Sequence, residues 1–174
     1  MHYSNIIKAL LMVMVFLWAN QLCSQDIALH REISLQAGIN IAVLDNAVGP
    51  SLSFHYAARA GKILQSETKL FFDSHRGRAF ISGNDTRSFA FGLASGLRVN
   101  SRPKKSWNPS LLFMLGLAYG LEESVDAGYR DGGIKIALCM GVSNRFYSNH
   151  MISLGYNAVS DIAHSVYLKY GYWF

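Results

Sequence analysis

The chain predicts an all-β fold: an eight-stranded antiparallel up-and-down transmembrane β-barrel behind an N-terminal signal peptide. Three observations carry this. Hydrophobic residues make up 51% of the 174 positions and charged residues only 16%, against about 25% charged in an average soluble domain. After the first thirty residues no apolar run reaches the ~20 residues that a transmembrane helix needs. Apolar residues instead recur at every second position, which is the period of a strand with one greasy face.

Residues 1–24 read as an export signal. Lys8 supplies the positive start, Ala9 to Ala19 the apolar core, and Asn20-Gln21-Leu22-Cys23-Ser24 the polar end. That core fits the ~7–15 residues of a signal peptide and is too short to span a bilayer. Cleavage after Ser24 leaves 25–174 as one barrel domain. Leu22 stands before Cys23, where lipoprotein signals carry a small residue, which argues against lipidation. Cys139 lies inside a strand, so no intramolecular disulfide is expected.

Strand one sets Ile33, Leu35, Ala37, Ile39, Ile41 and Val43 on one face and Ser34, Gln36, Gly38, Asn40 and Ala42 on the other. A turn at 45–50 leads to strand two, with Leu52, Phe54, Tyr56 and Ala58 against Ser51, Ser53, His55 and Arg59. Gly61 reads as a tight turn. Strand three puts Leu64, Leu70 and Phe72 opposite Gln65, Glu67 and Lys69, with Ser66 and Thr68 interrupting its apolar face. The polar stretch 73–87 then reads as a long loop.

Strand four alternates Phe89, Phe91, Leu93, Leu97 and Val99 with Ser88, Gly92, Gly96, Arg98 and Asn100. A basic connection ending at Trp107 leads to strand five, where Leu111, Phe113, Leu115, Leu117, Tyr119 and Leu121 share a face. A second loop is expected at 122–133. Strand six sets Ile134, Ile136, Leu138, Met140 and Val142 against Lys135, Ala137, Cys139, Gly141, Ser143 and Arg145. Tyr147-Ser148-Asn149-His150 reads as a short turn before strand seven, with Ile152, Leu154 and Tyr156 on its apolar face. The last strand aligns Val166, Leu168, Tyr170, Tyr172 and Phe174, with Tyr167 and Trp173 as large exceptions opposite.

Eight strands in an exported chain also describe a secreted lipocalin, which is apolar inside. The second face decides between them. A water-facing surface should be roughly 25–35% charged, but this face is mostly Ser, Gly, Ala, Asn and Gln. Small polar residues suit the lumen of an eight-stranded barrel, which is just wide enough for side chains to fill. The apolar face therefore meets lipid.

The leader, the eight alternating segments and the closing Tyr170-Gly171-Tyr172-Trp173-Phe174 resemble the small outer-membrane β-barrel proteins of Gram-negative bacteria, a broad group of OmpX-like, OmpW-like and OmpA-transmembrane-like barrels. The resemblance covers nearly all of 25–174 and implies an outer-membrane location reached through the periplasm. It also implies that Tyr170, Tyr172 and Phe174 form the signal read by the barrel-assembly machinery. Trp107, Phe146 and Trp173 would form an aromatic girdle.

Some barrels of this type remove or transfer lipid A acyl chains, which needs a nucleophile or base with an acidic partner. Ser74 with His75, and Asp161 with His164 and Ser165, are the candidates; ordinary loop polarity accounts for them better. The deacylases carry a His-x-Ser-Asn signature, from which Tyr147-Ser148-Asn149-His150 departs in both order and setting.

His55, Arg59, Glu67, Lys69, Arg98, Lys135, Arg145 and Lys169 all point to the expected lumen, where buried charges need partners. A packed plug is favoured over a narrow anion-preferring channel, although Glu67 alone cannot neutralise so many cations. Arg76, Arg78, Arg87 and Arg130 could meet lipopolysaccharide phosphates. The net charge of +5 fits anionic headgroups. Nucleic acid is not expected, because the cations are scattered and no binding motif is present. With no metal-ligand spacing or nucleotide motif, no cofactor is expected. The expected function is non-enzymatic: a structural or surface-interaction role carried by the loops, which could hold an extracellular ligand.

Overall fold

The computed structural model describes residues 31–43, 47–59, 63–78, 85–101, 107–124, 128–147, 149–160 and 163–174. The expected leader, Gly61 and Asp161 lie outside them. Each alternating segment becomes a strand, because an apolar side chain at every second position fits only an extended backbone with two unlike faces. They are β1 (Arg31–Ala42), β2 (Val48–Arg59), β3 (Leu64–Arg78), β4 (Asp85–Asn100), β5 (Asn108–Ser124), β6 (Tyr129–Phe146), β7 (His150–Val159) and β8 (Ala163–Trp173). Among the described residues no helix is long and apolar enough to cross a membrane.

Every strand pairs antiparallel with its sequence neighbour, and β8 returns to β1 to close the barrel. The closing seam runs from Ser34 opposite Trp173 to Ala42 opposite Ser165. Closure satisfies the backbone within the sheet, as a bilayer requires.

The apolar faces point outward. Leu35, Phe54, Phe91, Leu111, Leu115, Ile136, Leu154 and Leu168 are all exposed, Ile136 by 66% and Leu111 by 62%. Inside lie Ser, Asn, Gln and charged side chains, together with Phe71, Met114, Met151, Tyr167 and Trp173. In water such an exterior would precipitate, because contiguous apolar patches beyond a few hundred Å² mark interaction surfaces or aggregation. In a bilayer it is the correct solvent-facing surface.

Three expectations change. The stretches 73–87 and 122–133 are mostly strand: β3 runs to Arg78 and β4 starts at Asp85, while β5 runs to Ser124 and β6 starts at Tyr129. Their polar composition suggests loop, yet alternation and pairing continue, as in Ser74 opposite Phe89 and Glu123 opposite Arg130. Outside the hydrocarbon a strand has no need of an apolar face. Trp173 is not an outward girdle residue; it is buried in the lumen beside Ala57 and Met151. Its position follows the inward parity of Lys169 and Gly171, and the Met151 sulfur accepts its indole N–H at 3.3 Å. His150 belongs to β7 rather than to the turn, and Tyr147 takes the positive φ of 48° there.

Candidate functional site: a filled lumen and an extended sheet

The lumen is built from inward positions of all eight strands and is organised around two carboxylates. Glu67 on β3 is fully buried. The Arg98 guanidinium on β4 grips both its oxygens, with the Nη2–Oε1 contact at 2.8 Å. The His55 ring on β2 meets Glu67 Oε1 through Nδ1. Arg98 also donates to Ser110 at 3.0 Å and to Ser143. A bidentate fork of this kind is among the strongest charge-assisted pairings.

The second carboxylate is Asp73. It accepts from Ser51 and, at 2.6 Å, from the Asn157 amide. Lys69 donates to the same Asn157 at 3.1 Å, and Lys169 lies 3.9 Å from Asp73 and donates to Ser53 at 3.2 Å. Both ammonium groups sit 4.7 Å from the Tyr167 ring centroid. Tyr167 fits because Gly141 and Gly155 lack side chains; a Cβ at Gly155 would come within 2.3 Å of its hydroxyl.

A third cluster lies toward the end that carries both β1's start and β8's finish. Arg145 pairs with Glu32 at 2.7 Å, and Gln65 donates to the same carboxylate at 2.9 Å. The Arg145 guanidinium stacks on Trp173 at 4.2 Å.

All the expected lumenal charges with described side chains face inward, although Lys135 and Arg145 keep partial exposure. The side chain of Arg59 lies outside the described residues. Lys135 lies 3.9 Å from Asp131. Sequence reasoning missed Asp73 and Glu32. Parity could have found both, since Asp73 lies four residues beyond Lys69 and Glu32 two before Ser34. With them, Glu32, Glu67 and Asp73 face Lys69, Arg98, Arg145 and Lys169.

Ser53, His55 and Glu67 are hydrogen-bonded in series, His55 Nε2 lying 2.9 Å from the Ser53 hydroxyl. The sequence resembles a hydrolytic relay, but Arg98 occupies the acid and all three side chains are buried. The void beside His55, Arg98 and Tyr167 has no room for a water molecule. The expected hydrolytic pairs are not assembled. Ser74 and His75 point to opposite faces of β3, His75 lying 3.3 Å from Ser88 inside. His164 bonds the Tyr156 hydroxyl at 2.6 Å, whereas Ser165 points into the lumen.

At the end opposite the termini, β3–β6 outrun their neighbours. β7 pairs with β6 only as far as Val159 opposite Ala137, and the Ser160 amide then bonds the Ile136 carbonyl at 3.0 Å. Residues 129–136, about 26 Å of strand, have no further described partner on that side. Because backbone groups alternate sides, Ile134, Gly132 and Arg130 aim their N–H and C=O toward this edge as Ile136 does. On the outer face of the same sheet Arg76, Arg87, Glu123 and Arg130 form one cross-strand row. It lies two residue levels beyond the apolar row Phe72–Phe91–Tyr119–Ile134.

No family model matches the chain, and no curated protein matches it. Solved structures do. Ail, the attachment invasion locus protein of Yersinia pestis, superposes with a TM-score of 0.55 at 17% identity, covering 83% of this chain and 97% of Ail. The same protein in complex with the heparin analogue sucrose octasulfate gives 0.54 at 15% identity, with the same shares covered. The fold is that of a small outer-membrane β-barrel. Neisserial surface protein A also matches, at 0.49 and 16% identity over 83% of this chain and 95% of that one. This barrel accordingly belongs in the outer membrane, with its closed sheet crossing the bilayer and its apolar belt facing lipid. The hairpins of the longer strands β3–β6 protrude at the end opposite the termini, as the extracellular side of such barrels does, so that end is taken as extracellular and the termini as periplasmic.

Proposed function

We propose that this barrel is a non-enzymatic surface-interaction protein whose contact element is the extracellular extension of β3–β6. The observation that carries the reading is the sheet standing beyond β7 with an open edge at 129–136. An open edge presents unpaired donors and acceptors to any extended partner. The arginine row beneath it supports contact with lipopolysaccharide phosphates, which guanidinium forks bind in bidentate fashion.

The test shortens the β5–β6 hairpin by replacing Leu121–Gly132 with a two-residue turn, and separately substitutes Arg76, Arg87 and Arg130 with Gln. Both variants should keep the different gel mobilities of unheated and boiled barrel. The triple variant should retain less lipopolysaccharide on purification, measured as lipid A per barrel. The shortened one should lower the adhesion of expressing cells to a heparin-coated surface. If cells carrying the shortened barrel adhere as the parent does, the reading fails.

A further inference from the structure

The barrel wall has a step at its extracellular rim. β7 and β8 have closed on one another by Val159, which lies opposite Ala163, while β6 stands higher and reaches up to Tyr129. On the β7 side the last described bond of β6 is the one from the Ser160 amide to the Ile136 carbonyl. Ile134, Gly132 and Arg130 carry the next edge-facing groups. Same-side residues of a strand recur every ~6.8 Å, so three N–H and three C=O groups stand in line above β7 at the period of a ladder.

Those groups suit one kind of occupant. A polypeptide strand repeats N–H and C=O at the same period, and a saccharide does not. A second copy of this chain fails on direction. Strands of such barrels tilt by about 35–45°, so two β6 edges related by a two-fold along the membrane normal would cross near a right angle rather than zip. The side chains of the edge narrow the partner further. Ile134 is 55% exposed at the end of the apolar row, so the residue beside it is apolar. Arg130 asks for a carboxylate. Gly133 faces inward opposite Gly120, and a Cβ placed on it meets no atom within 4 Å. With an antiparallel partner Gly133 falls in a non-hydrogen-bonded pair, where side chains approach closest. An aromatic ring there lies over the bare glycines. Asp131 and Lys135 already lie 3.9 Å apart and ask only for small polar neighbours.

We propose, on the surface-interaction reading above, that the step binds an extended peptide strand of another protein, added antiparallel to β6 over 130–135. The strand presents an apolar residue to Ile134, an aromatic to Gly133 and a carboxylate to Arg130. Main-chain bonds supply the affinity, and the three side chains supply the choice of partner.

The full barrel in nanodiscs is titrated into a fluorescein-labelled, end-capped hexapeptide, and binding is read by fluorescence anisotropy. From its amino end, opposite Lys135, the peptide runs threonine, valine, tyrosine, valine, threonine, glutamate. The parent barrel should bind it. Methylating the peptide nitrogens opposite Gly132 and Ile134 should weaken binding at least about tenfold, whereas methylation opposite Asp131 and Gly133 should not. Ile134→Pro removes an edge N–H without touching the ladder to β5 and should weaken binding to the same degree. Should that variant fail to fold, judged by gel mobility, Gly132→Pro removes the neighbouring edge N–H. Arg130→Glu should weaken binding about fivefold, with recovery when lysine replaces the glutamate of the peptide. No binding by the parent, or equal binding of the two methylated peptides, overturns the strand addition. A folded proline variant that binds as the parent does overturns the assignment to this edge, and Arg130→Glu without effect overturns the carboxylate. Lower adhesion on hairpin shortening together with no peptide binding overturns this partner and leaves the surface reading standing.

Discussion

At the scale of single residues the lumen is governed by what buried charge requires. Glu67 is fully enclosed and holds Arg98 and His55. Removing one partner of such a cluster strands the others, which costs about 3–5 kcal/mol. Glu67→Ala should therefore lower unfolding stability by that amount in urea titrations of the reconstituted barrel. The double variant Glu67→Met/Arg98→Met should recover much of the loss, because no uncompensated charge stays behind. The contact between Arg98 and Trp173, 5.6 Å to the ring, gives a fluorescence reporter in the same experiment. Gly155→Ala is a second case. Its Cβ would meet the Tyr167 hydroxyl at 2.3 Å and the Met140 carbonyl at 2.4 Å, so a cost of about 1–3 kcal/mol is expected from overpacking. Most inward charges were legible from parity alone. Asp73 shares that parity but was passed over, because its polar neighbours Ser74, His75 and Arg76 suggested that the strand had ended. Trp173 was misplaced for the opposite reason: an aromatic near a membrane interface invites an outward reading, although its parity points inward.

The strands divide into two sets by length. β1, β2, β7 and β8 have 10 to 12 residues and β3 to β6 have 15 to 18. The shorter set is sufficient to cross the hydrocarbon, which takes ~9–11 tilted residues. The surplus of the longer set builds the extracellular sheet. Within the belt, an outward residue such as Leu115 is held to lipid. Leu115→Arg should cost about 2–4 kcal/mol if measured by refolding into vesicles, with a far smaller effect for Glu123→Arg in the charged row. The existence, order and facing of the strands were readable because apolar alternation is strong inside the bilayer. The extensions of β3–β6 were not, because in water both faces of a strand can be polar and composition no longer separates strand from loop.

At the scale of the whole molecule, large side chains among the described residues occupy the lumen. Phe71, Met114, Met151, Tyr167 and Trp173 pack inside with three ion-pair clusters. The expected consequence is an absence of current steps in planar bilayers at neutral pH. Glu67→Ala alone should not open a path, since Phe71 and Tyr167 remain.

Sequence alone determined the antiparallel barrel, the lipid-facing surface and the membrane address, since period-two hydrophobicity asks for a sheet with one apolar face and the scarcity of charge on the other face turns the apolar one to lipid. Tertiary structure alone decided the rest: which carboxylate meets which cation, that Trp173 fills the lumen, and that β6 runs past the last described residue paired to it on β7. Parity assigns a side chain to a face, but its partners depend on the register between strands and on closure at the β1–β8 seam. Those are properties of the whole sheet, and no single strand carries them.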